Sequence, residues 1–142
     1  MIYLDTSVVV SALVPDAYTD VVRRWLERQD GPLAISRWVK AEFSSACAKN
    51  VRLGAMSRDA QNAARDAFSN LIEGEVDVLS VPEIAFVIAS VMADRSDLGL
   101  RAPDALHLAL ARVNRIPIAT NDRRLAATAP GFGVTALDLS VP

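Results

Sequence analysis

Short runs of apolar residues alternate along the chain with longer segments in which apolar residues recur every three or four positions. The short runs predict β-strands, because strands buried on both faces read as continuous apolar stretches, and the longer segments predict amphipathic helices. The predicted strands cover residues 2–4, 33–36, 76–81, 116–120 and 134–139. The predicted helices begin near residue 8, recur around 21–26, and cover 37–53, 57–74, 83–97, 102–115 and 121–128.

This alternation predicts an α/β fold with a parallel central β-sheet flanked by helices on both faces. A chain of 142 residues is long enough to bury a core and carries no repeat, low-complexity tract or linker, so we expect a single domain over residues 1–142. Ligands bind such sheets beyond the carboxyl ends of the strands. Polar residues that directly follow a predicted strand are therefore the first candidates for a functional site.

Four acidic residues interrupt the apolar patterns: Asp5, Glu42, Asp104 and Asp122. Asp5 follows the first predicted strand, and Asp122 follows the fourth after one intervening residue. Carboxylates are rarely buried unless they are paired or bound to a cation. If the fold brings the four together, their repulsion keeps some of them protonated unless a divalent metal lies among them. The set points to a metal-dependent enzyme, and phosphodiester hydrolysis is the first chemistry to consider.

Each acid also has a purely structural interpretation. Asp5 can cap the N-terminus of the helix that follows it. Glu42 shares an apolar helical row with Trp38, although its stem could lie on the core while its head reaches water. Asp104 opens a predicted helix, where the backbone dipole favours an ionised acid for stability alone. Asp122 lies where aspartate is common simply because it favours turns.

Five neighbouring residues could hold these carboxylates or a bound water in place: Thr6, Ser7, Thr120, Asn121 and His107. Thr6 and Ser7 could equally cap the helix predicted to begin near residue 8. His107 lies three residues after Asp104 on the same helical face, where it could be a general base. We favour a packing or hydrogen-bonding role for His107, because a metal-bound water already supplies the nucleophile.

Two further acids, Asp94 and Asp97, lie close to Asp104 in sequence, so proximity alone does not decide which of the three is the metal ligand. Both fall near the end of the helix predicted over residues 83–97, where a negative charge meets the dipole unfavourably, and both are expected to face solvent. We therefore expect activity to depend on Asp104, and expect Asp97→Asn to be harmless and slightly stabilising.

The four acids lie in four short motifs, and with these motifs in order the chain resembles a PIN-domain ribonuclease of the kind found as the VapC toxin of bacterial toxin–antitoxin pairs. The matching segments are YLDTS at 3–7, KAEF at 40–43, PDALHLA at 103–109 and TND at 120–122. The resemblance implies a PIN-like α/β/α sandwich, an RNA substrate, a small antitoxin that occupies the site, and a homodimer. It also implies a tetrad of Asp5, Glu42, Asp104 and Asp122. An all-oxygen ligand set suits Mg²⁺ or Mn²⁺ better than zinc.

Charge and composition limit this hypothesis without overturning it. The net charge of −2, from 15 basic and 17 acidic residues, does not by itself support RNA binding, because a typical non-catalytic nucleic-acid binder is markedly basic. Basic residues nevertheless flank the four acids in sequence: Arg37, Lys40, Arg101, Arg123 and Arg124. They could form a basic rim around the site, or they could be ordinary solvated surface residues.

The sequence also predicts a cytoplasmic location. No apolar run reaches the roughly 18 residues of a transmembrane helix. The apolar stretch 8–14 is not interpreted as a signal peptide, because no lysine or arginine precedes it and no cleavage-type segment follows. The single cysteine, Cys47, cannot form an internal disulfide and falls at the spacing of a small core residue.

Other functions remain as alternatives. A phosphatase with an aspartyl nucleophile needs a second aspartate where Ser7 lies, as well as a distant lysine. A phospho-acceptor receiver module needs an acidic pair before Asp5 and a lysine late in the chain, but no lysine follows Lys49. The non-enzymatic alternative is a catalytically silent PIN-like module that binds RNA or supports assembly, which an incomplete tetrad would favour.

Overall fold

A computed structural model describes residues 1–74 and 76–140. Within these residues, five strands form one fully parallel sheet in the order β3-β2-β1-β4-β5. Their bounds are β1 Ile2–Leu4, β2 Leu33–Ser36, β3 Val76–Leu79, β4 Ile118–Thr120 and β5 Ala136–Asp138. The predicted fold class, a parallel sheet between layers of helices, is confirmed.

Helices connect the strands and cover the sheet. Those in the described residues are α1 Thr6–Leu13, α2 Thr19–Leu26, α3 Arg37–Arg52, α4 Arg58–Gly74, α5 Glu83–Ala93, α6 Ala102–Asn114 and α7 Arg123–Thr128. The residues of α6 from Ala105 to Ala111 are all buried, so this helix is a central core element. The row Val39, Phe43 and Cys47 is the buried face of α3, which confirms Cys47 as a small core residue.

The strand order places a topological switch point between β1 and β4. From β1 the chain builds the sheet outward through β2 and β3, and it then returns to add β4 and β5 on the other side. Tyr3 of β1 pairs with Ile118 of β4, and both are fully buried. The carboxyl ends of β1 and β4 therefore lie side by side, and the loops that leave them diverge to form the crevice in which ligands bind to open α/β sheets.

Most predicted boundaries are correct to within two residues, and the larger differences have local causes. Helix α1 begins at Thr6 instead of near residue 8, because Asp5 caps it through the Val8 amide. Helix α5 ends at Ala93 instead of residue 97. A 3-10 turn, Ala129–Phe132, was not predicted. No helix in the described ranges has the length and apolar character needed to span a membrane.

Candidate active site

Asp5 is the buried centre of the site. It leaves the end of β1 with its side chain only 3% exposed and caps α1. Its Oδ1 accepts hydrogen bonds from Ser7 Oγ at 2.6 Å and Val8 N at 3.1 Å, and its Oδ2 accepts one from Thr120 Oγ1 at 2.6 Å. Burial raises the pKa of this carboxyl, and the nearby His107 and these donors only partly oppose that effect.

Glu42 reaches the same region from the middle of α3. It accepts a short hydrogen bond from Thr6 Oγ1 and another from His107 Nε2 at 2.7 Å. Although partial burial acts to raise its pKa, the hydrogen bond and charge of His107, together with Thr6, lower it. Glu42 is therefore held as a carboxylate by a partner that can carry positive charge.

His107 is fixed from both sides by its neighbours. Its ring is 3% exposed, and Nδ1 lies 2.8 Å from Tyr3 Oη, which in turn lies 2.8 Å from Ser36 Oγ. Nε2–H donates to Glu42, and Nδ1 lies within hydrogen-bond distance of the tyrosine hydroxyl. Burial raises the pKa of Tyr3, which keeps that hydroxyl protonated as a donor. This arrangement makes His107 a hydrogen-bonded link between α6, α3 and β1.

Asp104 and Asp122 lie at the N-termini of helices, where both accept backbone hydrogen bonds. Asp104 is in the first turn of α6, where its Oδ2 accepts from the Arg101 amide at 3.3 Å and lies 3.7 Å from the Arg101 Nε. Asp122 caps α7 through the amides of Arg124 at 2.8 Å and Leu125 at 3.1 Å. Asp104 thus lies in the first turn of a helix, as its structural interpretation predicted, whereas Asp122 caps a helix instead of forming a turn.

The structure brings some of the predicted residues into contact and leaves one apart. Thr120 Oγ1 donates a hydrogen bond to the Asp5 carboxylate and accepts one from the backbone amide of Asp122 at 2.9 Å. Thr120 therefore links two of the predicted positions. Asp104 shares α6 with His107 but makes no hydrogen bond to the other three acids. Within residues 1–74 and 76–140, no three His, Cys, Asp or Glu side chains are arranged as metal ligands. Joint ligation by all four acids stays a prediction.

Asn121 is a second buried anchor of the crevice. Its amide N donates to Ser7 Oγ at 2.9 Å, and its Nδ2 donates to Ser11 Oγ at 2.8 Å and Ser7 O at 3.2 Å. Among residues 1–74 and 76–140, no group donates a hydrogen bond to its buried Oδ1. Because Ser7 also bonds Asp5, Asn121 ties the loop after β4 to the first turns of α1.

An open cleft of about 580 Å³ lies against this network. Asp122 lines it directly, whereas Asp5 and Glu42 connect to it through Ser7 and Thr6. Basic side chains on its walls are Lys49 and Arg101. A separate, mainly aliphatic cavity of about 430 Å³ contains none of the four acids.

Sequence reasoning missed several polar residues of the site. Ser11 is 2% exposed and donates to Asp16 Oδ2 at 2.6 Å, and both line the cleft with Lys49. Ser11 could have been found from its place in an apolar helix, where a buried hydroxyl must have a partner. Tyr3 could have been found in the same way, since a tyrosine inside a central strand needs an acceptor or donor. Nothing in the sequence distinguishes Lys49 from surface lysines.

Asp94 and Asp97 lie outside this network. Asp97 accepts two hydrogen bonds from Arg95, at 2.9 Å from Nε and 2.7 Å from Nη2, on an exposed segment beyond the end of α5. The expected slight stabilisation by Asp97→Asn was therefore based on a wrong helix boundary. The Arg95 bond lowers the pKa of Asp97, so its carboxylate is favoured rather than opposed.

A family model described as the PIN domain matches residues 2–130. FitAcB from Neisseria gonorrhoeae is 21% identical, with all of both chains covered and a TM-score of 0.75. VapC20 from Mycobacterium tuberculosis, a sarcin–ricin loop cleaving toxin, is 20% identical over 90% of this chain and 95% of that chain, with a TM-score of 0.72. A toxin–antitoxin complex from Klebsiella pneumoniae is 16% identical over 98% of each chain, with a TM-score of 0.66. No curated protein matches the chain by sequence.

Proposed function

Because the chain belongs to the PIN domain family, we propose that it is a Mg²⁺-dependent endoribonuclease and the toxin of a toxin–antitoxin pair. Mn²⁺ is the alternative ion. The proposed substrate is RNA, the proposed location is the cytoplasm, and the whole chain is proposed to act as one domain. The observation that carries the proposal is Asp5, a buried carboxylate whose partners are neutral donors, at the switch point of the sheet and beside an open cleft.

The proposed metal ligands are Asp5, Glu42, Asp104 and Asp122. Support comes from the chemistry of the donors, because carboxylate oxygens are the ligands that Mg²⁺ prefers. The raised pKa of Asp5 is further support, since a nearby cation compensates a buried charge that hydroxyl donors leave under-compensated. When bound, Mg²⁺ supplies a Lewis acid and lowers the pKa of water, so that hydrolysis of a phosphodiester becomes possible near neutral pH.

The residues of the chain itself position these groups. Ser7 and Thr120 hold the two oxygens of Asp5 against the ends of β1 and β4, which fixes the carboxylate on rigid elements. His107 and Thr6 orient Glu42. Asn121 completes the supporting set by tying the loop after β4 to α1. These five residues are proposed to act through the acids, not on the substrate.

The cleft walls are proposed to bind the RNA backbone. Lys49 and Arg101 both line the cleft, and phosphate oxygens are the groups that such side chains bind without regard to sequence. A local pair of cations reconciles RNA binding with the net charge of −2, because the acidic ligands offset basic residues in the total.

Two protein partners are also proposed. The first is a small antitoxin encoded beside the toxin, as the complexes among the similar structures suggest. A guanidinium from that partner could take the place of a cation among the carboxylates. The second is another copy of the chain, in a homodimer.

A catalytically silent module that binds RNA or supports assembly is the second candidate function. It is favoured by the helix-capping bonds of Asp104 and Asp122, which account for both acids without a metal. The two candidates differ in a single property, which is metal-dependent cleavage.

The deciding experiment is incubation of the purified protein with total cellular RNA and Mg²⁺, with EDTA in a parallel reaction and Asp5→Asn as the matched protein control. The proposed nuclease cleaves in Mg²⁺, stops in EDTA, and is inactive as Asp5→Asn. Sequencing of the product ends would identify the target. The silent module would be favoured if the folded protein, free of any partner, binds RNA in a filter-binding assay but does not cleave it.

A further inference from the structure

The cleft of about 580 Å³ beside the candidate site has two ends of different chemistry. One end is polar and contains Asp122, with Asp5 connected to it through Ser7. The other end, which we call the apolar end, combines apolar and aromatic side chains with one cation: Val10, Tyr18, Ala46 and Lys49. Surroundings of this kind suit a group with flat apolar faces and polar edges.

Two helices place the apolar end one turn beyond the acids. Helices α1 and α3 follow the neighbouring parallel strands β1 and β2, so both helices leave the same edge of the sheet. Thr6 in the first turn of α1 bonds Glu42 of α3. Val10 lies four residues after Thr6 and Ala46 lies four residues after Glu42, so each is one turn further along the same helical face. A group bound between Val10 and Ala46 therefore lies beside the carboxylates and not among them.

Lys49 is the cation of the apolar end. It lies seven residues after Glu42, which is two turns or about 10 Å along α3. Its side chain is exposed, and it makes no ion pair with any residue in the ranges 1–74 and 76–140. Its ammonium is therefore available to an anion that enters the cleft.

Tyr18 is held at the cleft by a hydrogen-bonded loop. The Asp16 carboxylate accepts from Tyr18 N at 2.8 Å and from Ser11 Oγ at 2.6 Å. Asp16 N donates to Thr19 Oγ1 at 2.8 Å, and Ser11 Oγ accepts from Asn121 Nδ2 at 2.8 Å. These bonds connect the loop to the polar end of the cleft, so the backbone that carries the aromatic ring has a fixed position relative to the acids.

The Tyr18 ring is partly buried, because it packs against the core and also lines the cleft. Covering the core is the plain structural role of such a ring. That role does not explain why the small side chain of Ala46 and the cation of Lys49 face the same space. A ring that is already held in place loses little conformational entropy when a second flat ring stacks on it.

We propose that the apolar end of the cleft binds an unpaired nucleobase of the RNA, stacked on the Tyr18 ring. This inference rests on the proposed nuclease and adds the part of the substrate, next to the cleaved phosphodiester, that the chain recognises. Aromatic side chains bind unpaired bases by stacking, and they do so for every base because each has a π-face.

The neighbouring residues complete this site. Ala46 leaves space for the base because its side chain is small, and Lys49 binds a phosphate of the same strand without regard to sequence. The two oxygens of Asp16 already accept hydrogen bonds from the protein, so Asp16 positions Tyr18 and does not read the base. A base inside a duplex is paired and stacked on its neighbours, so it does not enter the cleft.

The first test measures RNA binding in EDTA, where the proposed nuclease does not act. The probe is a short unpaired RNA of random sequence that carries 2-aminopurine, a fluorescent base whose emission falls when it stacks on an aromatic ring. Tyr18→Leu keeps an apolar side chain but removes the ring, whereas Tyr18→Phe keeps the ring. Phe86→Leu is the matched control, because Phe86 is 53% exposed but lines a separate groove beside α5.

We expect wild type, Tyr18→Phe and Phe86→Leu to bind the RNA with similar affinity and to quench the probe. Tyr18→Leu should raise the dissociation constant roughly 5–100-fold and lose the quenching. The proposal would be overturned if Tyr18→Leu binds like wild type, if Tyr18→Phe binds as weakly as Tyr18→Leu, or if wild type binds no unpaired RNA. Equal affinity of wild type for the matching duplex would also overturn it.

The second test fills the space and leaves the ring in place. Ala46→Leu enlarges a side chain that lines the cleft, and Ala41→Leu makes the same change at an exposed position of α3 outside the cleft. Thermal melts check that both variants fold. We expect only Ala46→Leu to weaken binding of the same RNA, to an extent comparable with Tyr18→Leu. If Ala46→Leu binds like Ala41→Leu, the base lies elsewhere and the proposal is wrong, a result that is decisive even if Tyr18→Leu does not fold.

Cleavage kinetics separate failure of this site from failure of the proposed nuclease. Stacking of a base that does not react strengthens the binding of substrate and transition state equally, so Tyr18→Leu should raise KM and leave kcat near wild type. If wild type cleaves RNA and Tyr18→Leu has the same KM, the base site is refuted and the nuclease stands. If binding depends on Tyr18 but no metal-dependent cleavage occurs, the nuclease is refuted and the base site stands.

Discussion

Asp5 and Glu42 are carboxylates in the same candidate site, yet their surroundings shift their pKa values in opposite directions. Asp5 accepts hydrogen bonds from two hydroxyls and a backbone amide, and burial still raises its pKa. Glu42 accepts from one hydroxyl and from His107, and its pKa is lowered. For Asp5, the charge of His107 and the neutral donors do not offset its complete burial, whereas for Glu42 a direct hydrogen bond to His107 and greater exposure lower the pKa.

The difference follows from the elements that carry the two residues. Asp5 lies at the end of a central strand and inside the first turn of α1, so it is enclosed by backbone on several sides. Glu42 lies in mid-helix at the edge of the core, where a long side chain can meet His107 from α6. Of the two, Asp5 is the carboxylate that has more to gain from a bound cation.

The largest effect is expected for Asp5→Asn. This change removes the charge while nearly preserving the volume, so Mg²⁺-dependent RNA cleavage should fall by on the order of a hundredfold or more. Without metal, the variant should melt roughly 2–5 °C higher at neutral pH, because the buried charge is gone. A carboxylic acid with a raised folded pKa loses stability as pH rises above its unfolded value of about 3.9. The gain should therefore shrink as pH falls toward that value.

Cleavage at wild-type rates by Asp5→Asn would refute its role as a ligand. An unchanged melting temperature would instead refute the argument that its burial is under-compensated. The two measurements therefore test the function and the electrostatics separately.

A smaller and more selective effect is expected from Asp104→Asn and Asp97→Asn, measured side by side. Asp104→Asn should weaken Mn²⁺ binding and RNA cleavage by roughly 10–100-fold. It should also cost about 0.5–1 kcal/mol, because the Arg101 amide loses its charged acceptor. Asp97→Asn removes only an exposed contact with Arg95 and should leave metal binding and cleavage unchanged. If Asp97→Asn is the inactive variant, the third ligand is misassigned.

The smallest effect is expected for Glu42→Gln, as a stability difference at neutral pH that disappears in acid. A carboxyl with a lowered folded pKa contributes stability above its unfolded value of about 4.3, and this contribution is lost as pH falls through the folded pKa. Wild type should therefore melt higher than Glu42→Gln at neutral pH, by roughly 1–3 °C, and the two melting curves should converge toward pH 3. A constant difference at every pH would assign the effect to packing, not to the charge.

Much of the fold could be predicted because periodicity reports burial directly. The residues of β1 and β4 are apolar without interruption, and the alternation with helices implies a parallel sheet. The full strand order does not follow from such patterns, although Asp77 in β3 and Asp138 in β5 are charged residues of the kind that edge strands carry. The end of α5 was misplaced because no glycine or proline lies between Ala93 and Gly99, although the polar run at residues 94–97 interrupts the apolar pattern.

The site could be predicted as a set of residue identities but not as a network. Acids after apolar strands are visible in sequence, and Asp5 lies where the pattern indicates. The bonds from His107 to Tyr3 and Glu42 depend on how α6 packs against β1 and α3, which spacing does not encode. An aspartate at a helix N-terminus can be a cap or a metal ligand, so the residue types of Asp104 and Asp122 do not distinguish the two roles.

The hydrogen bond from Thr120 to Asp5 joins residues 115 positions apart in the chain. During synthesis, Asp5 leaves the ribosome 115 residues before Thr120, the β4 residue that helps to enclose its carboxylate. The half-built chain holds β1 to β3 without the central neighbour of β1. The enclosed Asp5 centre therefore cannot form on a nascent chain until β4 has been made, long after β1.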